Sequence, residues 1–266
     1  MVFGTALSLA GPKPGPALHT DWADGGHAKV RLVFGEWQAD GTALLGVEMV
    51  LAEGWHTYWR TPGDAGRPPH FDWQGSRGAT ITGLRYPFPH PFTDNGYRSF
   101  GHAGRVLYPV TAQAGDSAEI TLDLTYAVCA EICVLEEVSV SLVIDHGLAQ
   151  SPHRQAVRTA FAEGGQPAAN AAQLIGVNTD GLLIVLANED AQAVLVETPH
   201  GRVLEPQQVS PTRWFVPLES QDHFAGLRDV PLRITVQRPH KVEETTAQIG
   251  SIVQRPPTSA IPWDNL

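Results

Sequence analysis

Cysteine is scarce in this chain: two residues among 266, both inside one short stretch. A framework of disulfides stapling distant segments is therefore excluded, and the fold must rest on packed cores, which a chain of this length can bury. Basic residues are outnumbered, 18 Lys and Arg against 28 Asp and Glu, for a formal net charge of −10. That balance excludes nucleic acid and anionic membrane surfaces as natural partners. No apolar run approaches the ~18 residues of a membrane helix, so no helical span is expected. There is no G-x-S-x-G, no phosphate-cradling glycine loop and no dinucleotide fingerprint, which leaves hydrolase and nucleotide chemistry without support. No internal repeat of fixed period is present.

What the chain does have is Gly 26, Pro 21 and many short alternating runs, a composition that favours turns between strands over long helices. Strands are predicted at residues 28–34, 43–51, 71–73, 81–86 and 105–110, and on either side of the cysteines. With about seven or eight such strands the first half has the pattern of a β-sandwich. The proline-rich segment Pro87-Phe-Pro-His-Pro-Phe92 forbids helix and any central strand position. Residues 93–102 carry Asn95-Gly96 turn chemistry. At residues 145–147 the composition shifts. Ser151-Pro152 suits an N-cap and first helical residue, predicting a short helix over 154–162 that ends at Gly164-Gly165. Strands then resume at 172–177, 182–187, 193–197, 213–218 and 232–237, with a turn at Asp180-Gly181. The expected organisation is all-β: two β-sandwiches in tandem, residues 18–147 and 166–254, joined by a short helical linker. Residues 1–10 read as the clipped end of a secretory signal or an expression scar. Residues 255–266 read as a tail.

The two cysteines lie in Tyr126-Ala-Val-Cys129-Ala-Glu-Ile-Cys133, between segments of period two. Ile120, Leu122, Leu124 and Tyr126 share one face before the pair, and Val138, Val140, Leu142 and Ile144 share one after it. The pair therefore sits at the tip of a hairpin-like connection. A bridge closing about five residues stabilises by roughly 2 kcal/mol, against ~4.7 for a loop of about 100. Three readings follow: a small staple, a redox pair that opens and closes through a mixed disulfide, and a soft-metal site of two thiolates with a nearby histidine. His56 and His102 are the candidate third ligands. The other nine of the 11 histidines show no metal-ligand spacing.

The cysteine segment, preceded by Gly54-Trp-His-Thr-Tyr-Trp-Arg60 and Pro62-Gly-Asp-Ala-Gly-Arg-Pro-Pro69, resembles the periplasmic N-terminal domain of the DsbD-family thiol:disulfide interchange proteins. Within them it is most similar to the ScsB (suppressor of copper sensitivity) branch. The resemblance spans about residues 28–144, and the second half matches more loosely as an extra immunoglobulin-like domain. It implies that both sandwiches are immunoglobulin-like and that the first is a periplasmic protein-disulfide reductase domain, exported and part of an inner-membrane protein, that needs no cofactor. Electrons would come from the transmembrane and thioredoxin-like domains of its own parent. They would pass to periplasmic thioredoxin-fold partners, either a disulfide isomerase or ScsC-like. By matching position, Cys133 would attack the partner disulfide and Cys129 resolve the adduct. A cap loop over residues 93–100 would shield the sulfurs with Tyr97 and Phe100, and Tyr58 matches an aromatic position beside the pair. Plain core packing is the competing reading for each of these rings. Leu135 stands where many relatives have proline, which bears on the local backbone after Cys133. The alternative from another class is a periplasmic copper-binding module that uses the cysteine pair.

Glu131 lies between the cysteines, and Glu136 and Glu137 follow them. Carboxylates beside a thiol raise its pKa, so the pair alone is expected to be sluggish unless these groups merely form a solvated acidic edge.

Overall fold

Strands form wherever apolar and polar side chains alternate, and the inward set of each strand becomes core. The computed structural model describes residues 15–253 apart from 95, 149–150, 178–180 and 219–224. The leader at 1–10, the tail at 255–266, and Asn95 and Asp180 of two expected turns lie outside the described residues.

Residues 23–145 hydrogen-bond into a 10-stranded sheet folded around one core. Ala28–Trp37 pairs antiparallel with Thr42–Leu51, which pairs with the first part of the long strand Arg105–Cys129. The second part of that strand pairs with Cys133–Asp145, from Ser117 opposite Asp145 to Cys129 opposite Cys133. Sequence alone predicts a break near Gly115. The backbone instead continues, because Arg77–Leu84 runs alongside residues 110–119 and supplies ladder partners through the crossing, with two register shifts. Val30, Leu32, Phe34, Leu45, Val47, Met49, Tyr108, Ile120, Leu122, Leu124, Tyr126, Leu142 and Ile144 are buried in this core. Each such side chain contributes about 1.5–3 kcal/mol. A one-residue slip of Cys133–Asp145 would expose its whole apolar set, so the register of the cysteine hairpin is fixed by the core beneath it.

The helix spans Arg154–Glu163 and is capped by His153 and Gly164. Ser151 is thus not the N-cap; its hydroxyl accepts from the His153 amide at 3.0 Å, and the cap falls two residues later than predicted. Val157 packs where Gly35 leaves room, and Arg154 and Arg158 both pair with Glu36. The linker is therefore seated on the first sandwich.

Beyond it, two sheets of five strands enclose a second core built on Leu174, Leu182, Ile184, Val194, Val196, Trp214, Val216, Ile234 and Val236. One sheet contains Ala193–Glu197, Leu232–Arg238 and Lys241–Ala247. The other contains Ala172–Val177, Gly181–Leu186 and Arg213–Pro217. The architecture is the expected all-β pair of immunoglobulin-like sandwiches with a short helix between them. No described helix is long and apolar enough to cross a membrane.

Candidate functional site

The cysteine hairpin closes through Ala130, Glu131 and Ile132, and Cys129 and Cys133 face one another across it. They form a disulfide with Cα atoms 4.1 Å apart. Their surroundings differ sharply. Cys129, at the end of the long strand, is wholly buried with Tyr58 and Ala127. Cys133 is exposed, and Ile132 and Leu135 beside it are 66% and 50% exposed. One sulfur is held inside the sandwich and the other stands on an apolar rim.

Tyr58 is brought to the sulfurs by the strand His56–Gly63, whose first residues pair His56 with Cys129 and Thr57 with Val128. Thr57 donates its hydroxyl to the Ala127 carbonyl at 2.9 Å, pinning the strand there. The Tyr58 hydroxyl donates to Cys129 Sγ at 2.7 Å and lies 3.5 Å from Cys133 Sγ. The His56 ring stacks on Phe92 at 4.2 Å and meets the Tyr58 ring edge-on at 5.5 Å. The loop after this strand closes over the Tyr58 ring at Gly66.

Of the three rings expected at the site, Tyr58 is the one that touches sulfur. The expected shield of Tyr97 and Phe100 gives way to a different arrangement. Phe100 packs with Trp59 and with Leu195 of the second sandwich, a cluster separate from that of Cys129. Tyr97 is 58% exposed. The strand Tyr97–Ala103 is drawn to this position because it pairs with both His56–Gly63 and His90–Asp94.

The acidic residues also divide. Glu131 and Glu137 are exposed. Glu136 is buried and serves the fold, accepting from the His27 amide at 2.8 Å and the Tyr126 hydroxyl at 2.9 Å, with His27 Nδ1 at 2.7 Å. Trp55 stacks on the same His27 ring at 3.7 Å. Only two of the three carboxylates thus belong to the solvated edge.

His102 is buried with its ring edge-on to Tyr108 at 5.8 Å, and its Nε2 has no hydrogen-bond partner. Burial, with His90 adding to it, pushes its pKa down to about 3. Among the described residues no group of three or more His, Cys, Asp and Glu side chains is placed to hold a metal ion. Neither His56 nor His102 completes a donor set with the cysteines.

Sequence reasoning missed Gly66 and Arg60. Arg60 leaves the active-site strand to bind Glu197 and Glu244 of the second sandwich. The signal available was a charged residue inside an otherwise apolar strand, Tyr58-Trp-Arg60.

A hairpin disulfide with one buried and one exposed sulfur, on the edge of an immunoglobulin-like sandwich, defines the class: a thiol:disulfide interchange domain. Residues 28–145 match the family model described as thiol:disulfide interchange protein DsbD, N-terminal. The crystal structure of the N-terminal periplasmic domain of ScsB from Proteus mirabilis superposes with a TM-score of 0.64 at 21% identity. The match covers 88% of this chain and 99% of that one, a share that takes in both sandwiches. It shows the shared fold. The adhesin domain of Epf from Streptococcus pyogenes reaches a TM-score of only 0.24 at 10% identity, over 87% of this chain and 79% of that one, which carries no argument. No curated protein matches the chain.

Proposed function

We propose that this chain is the periplasmic electron-delivering part of an ScsB-branch reductase, and that it reduces disulfides in thioredoxin-fold partners. The observation that carries this reading is the unequal placement of the two sulfurs: Cys133 exposed on a rim of Ile132 and Leu135, Cys129 buried under Tyr58. A partner can reach only the first, and only the second is positioned to finish the exchange from within.

The reaction follows from that placement. In the reduced protein the Cys133 thiolate attacks a partner disulfide. The partner's S–S bond breaks, a Cys133–partner bond forms, and the partner's other sulfur leaves as a thiolate that takes up a proton. Cys129, having lost its proton, then attacks Cys133 Sγ. The mixed bond breaks, the partner's second sulfur leaves, and Cys129–Cys133 is left oxidised with two electrons passed on. The structure holds this oxidised end state. Tyr58 donates toward Cys129 Sγ, and a hydrogen bond to a thiolate favours the ionised form, so the resolving sulfur is the one assisted. Regeneration falls to a dithiol of the membrane-embedded part of the parent protein.

The test is trapping with a purified oxidised thioredoxin-fold protein. Cys129→Ala leaves Cys133 free to attack without resolution and should accumulate a disulfide-linked adduct that reductant dissolves. Cys133→Ala should accumulate little. The reverse result would exchange the roles, and no adduct from either variant would sink the electron-transfer reading.

A further inference from the structure

Tyr58 stands at a seam between the two sandwiches. The residues before it are held by the first: His56, Thr57 and Tyr58 are in ladder register with Ala103, His102 and Gly101. After Tyr58 that register is lost until Gly63. The residues in between are held from the other side. Arg60 Nη2 and Nε donate to Glu197 at 2.5 and 3.0 Å, and Nη1 donates to Glu244 at 2.6 Å. Nη2 also reaches the Thr235 hydroxyl at 3.1 Å. Thr61 donates its hydroxyl to Glu197 at 2.5 Å. Trp59, wholly buried, packs against Leu195, and the Arg60 guanidinium lies 4.3 Å over its ring. Further along, Arg98 forms a two-point pair with Glu205 while its carbonyl accepts from the Asp64 amide. Strand and returning loop are both tied to the second sandwich.

We propose that Arg60 and Glu197 are positioning residues, through which the second sandwich holds the Tyr58 hydroxyl on the Cys129 sulfur. The proposal rests on the exchange reading above and assigns the second sandwich its part in it. The ion pair is a poor candidate for stability alone. Burying a guanidinium and a carboxylate costs about as much as their attraction returns, whereas a fork bound to a carboxylate fixes direction in space. Burial alone would lower the Arg60 pKa, but the hydrogen bonds and charges of Glu197 and Glu244 more than offset it and leave it raised. The Arg60 guanidinium is therefore charged throughout the working range. Without it, Tyr58 would be the last ordered residue of a strand end, the kind of segment that opens most readily.

The experiment uses the full chain, reduced, with Cys133→Ser so that alkylation by iodoacetamide reports Cys129 alone, and measures labelling rate against pH. Tyr58→Phe should raise the midpoint by about one pH unit, the weight of one hydrogen bond to a charged group. Glu197→Gln should raise it by roughly half as much, because the bond is made less often. In the Tyr58→Phe background Glu197→Gln should add nothing, since the two changes act through one contact. An unshifted midpoint, or an equal shift with and without the Tyr58 hydroxyl, overturns the proposal. If Glu197→Gln fails to fold by circular dichroism, Arg60→Lys decides by the same criterion, because it keeps the charge and loses the fork. Alkylation needs no partner, so failure of the trapping experiment and failure of this coupling are separate results.

Discussion

Gly66 lies flat against the ring of Tyr58: a Cβ built on it would stand 2.2 Å from Cε1. Its φ of +102° is also one that side chains other than glycine's rarely adopt. Both facts forbid a larger residue where the loop returns over the sulfur. Gly66→Ala should cost about 1–3 kcal/mol, the usual weight of a strained backbone position. It should also displace the Tyr58 ring. The expected readouts are a lower urea midpoint and faster alkylation of Cys129 in a Cys133→Ser background. A lower midpoint with unchanged labelling would mean that the ring does not guard the sulfur.

The unequal exposure of the sulfurs predicts unequal chemistry. With each cysteine left alone in its own serine variant, a bulky aromatic disulfide reagent should label Cys133 at least about tenfold faster than Cys129, because reaction requires access as well as thiolate. Equal rates in folded protein would show that the strand carrying Tyr58 opens faster than the reagent reacts.

His102 predicts acid sensitivity. Its imidazole has a pKa of about 3 in the fold, against about 6.5 in an unfolded chain. The unfolded state therefore binds the proton first, and stability present above about pH 6.5 is lost as pH falls toward 3, by up to ~1.4 kcal/mol per pH unit. Urea midpoints at pH 7 and pH 5 should differ in the wild type and draw closer in His102→Gln. An unchanged difference in the variant would assign the acid limb to other groups.

Tyr126 predicts the alkaline limb. Burial, then the hydrogen bond and charge of Glu136, hold its hydroxyl protonated far above the usual tyrosine range. A folded pKa raised above the unfolded value leaves stability intact below about pH 10 and removes it as pH rises further. Tyr126→Phe should soften that loss. Glu136→Ala at pH 7 should cost about 1–3 kcal/mol by leaving the buried Tyr126 donor only the Ala28 carbonyl at 3.5 Å, while Glu136→Gln should cost less. Equal midpoints for the two Glu136 variants would contradict the account of this network.

The fold was legible wherever structure follows from neighbours in sequence. Val138, Val140, Leu142 and Ile144 alternate with Ser139 and Ser141, and the strand they form buries that set. The cysteine pair was legible for the same reason, since period two on both sides leaves only a turn between. What escaped depends on residues far apart. Arg60 finds its acids 137 and 184 positions away, and no local pattern announces a carboxylate in another sandwich. Phe100 was assigned to the sulfurs by resemblance to relatives, yet its packing partner is Leu195. Lys241–Ala247 lacks the apolar alternation of its neighbours: Val242 is its only buried apolar residue, and Glu243 and Glu244 are held by ion pairs to Arg238, Lys241 and Arg60. The helix begins at Arg154 as expected, but its cap is His153 rather than Ser151, because the serine satisfies the His153 amide outside the helix.

The strand Arg105–Cys129 is laddered in turn by Thr42–Leu51, Arg77–Leu84, Cys133–Asp145, His70–Asp72 and His56–Gly63. Its amides should be among the last in the protein to exchange with deuterium, since opening them requires unpicking several neighbours together. One terminus of the redox couple is thus welded to the least yielding part of the molecule, while the other rides beyond a short turn in open solvent.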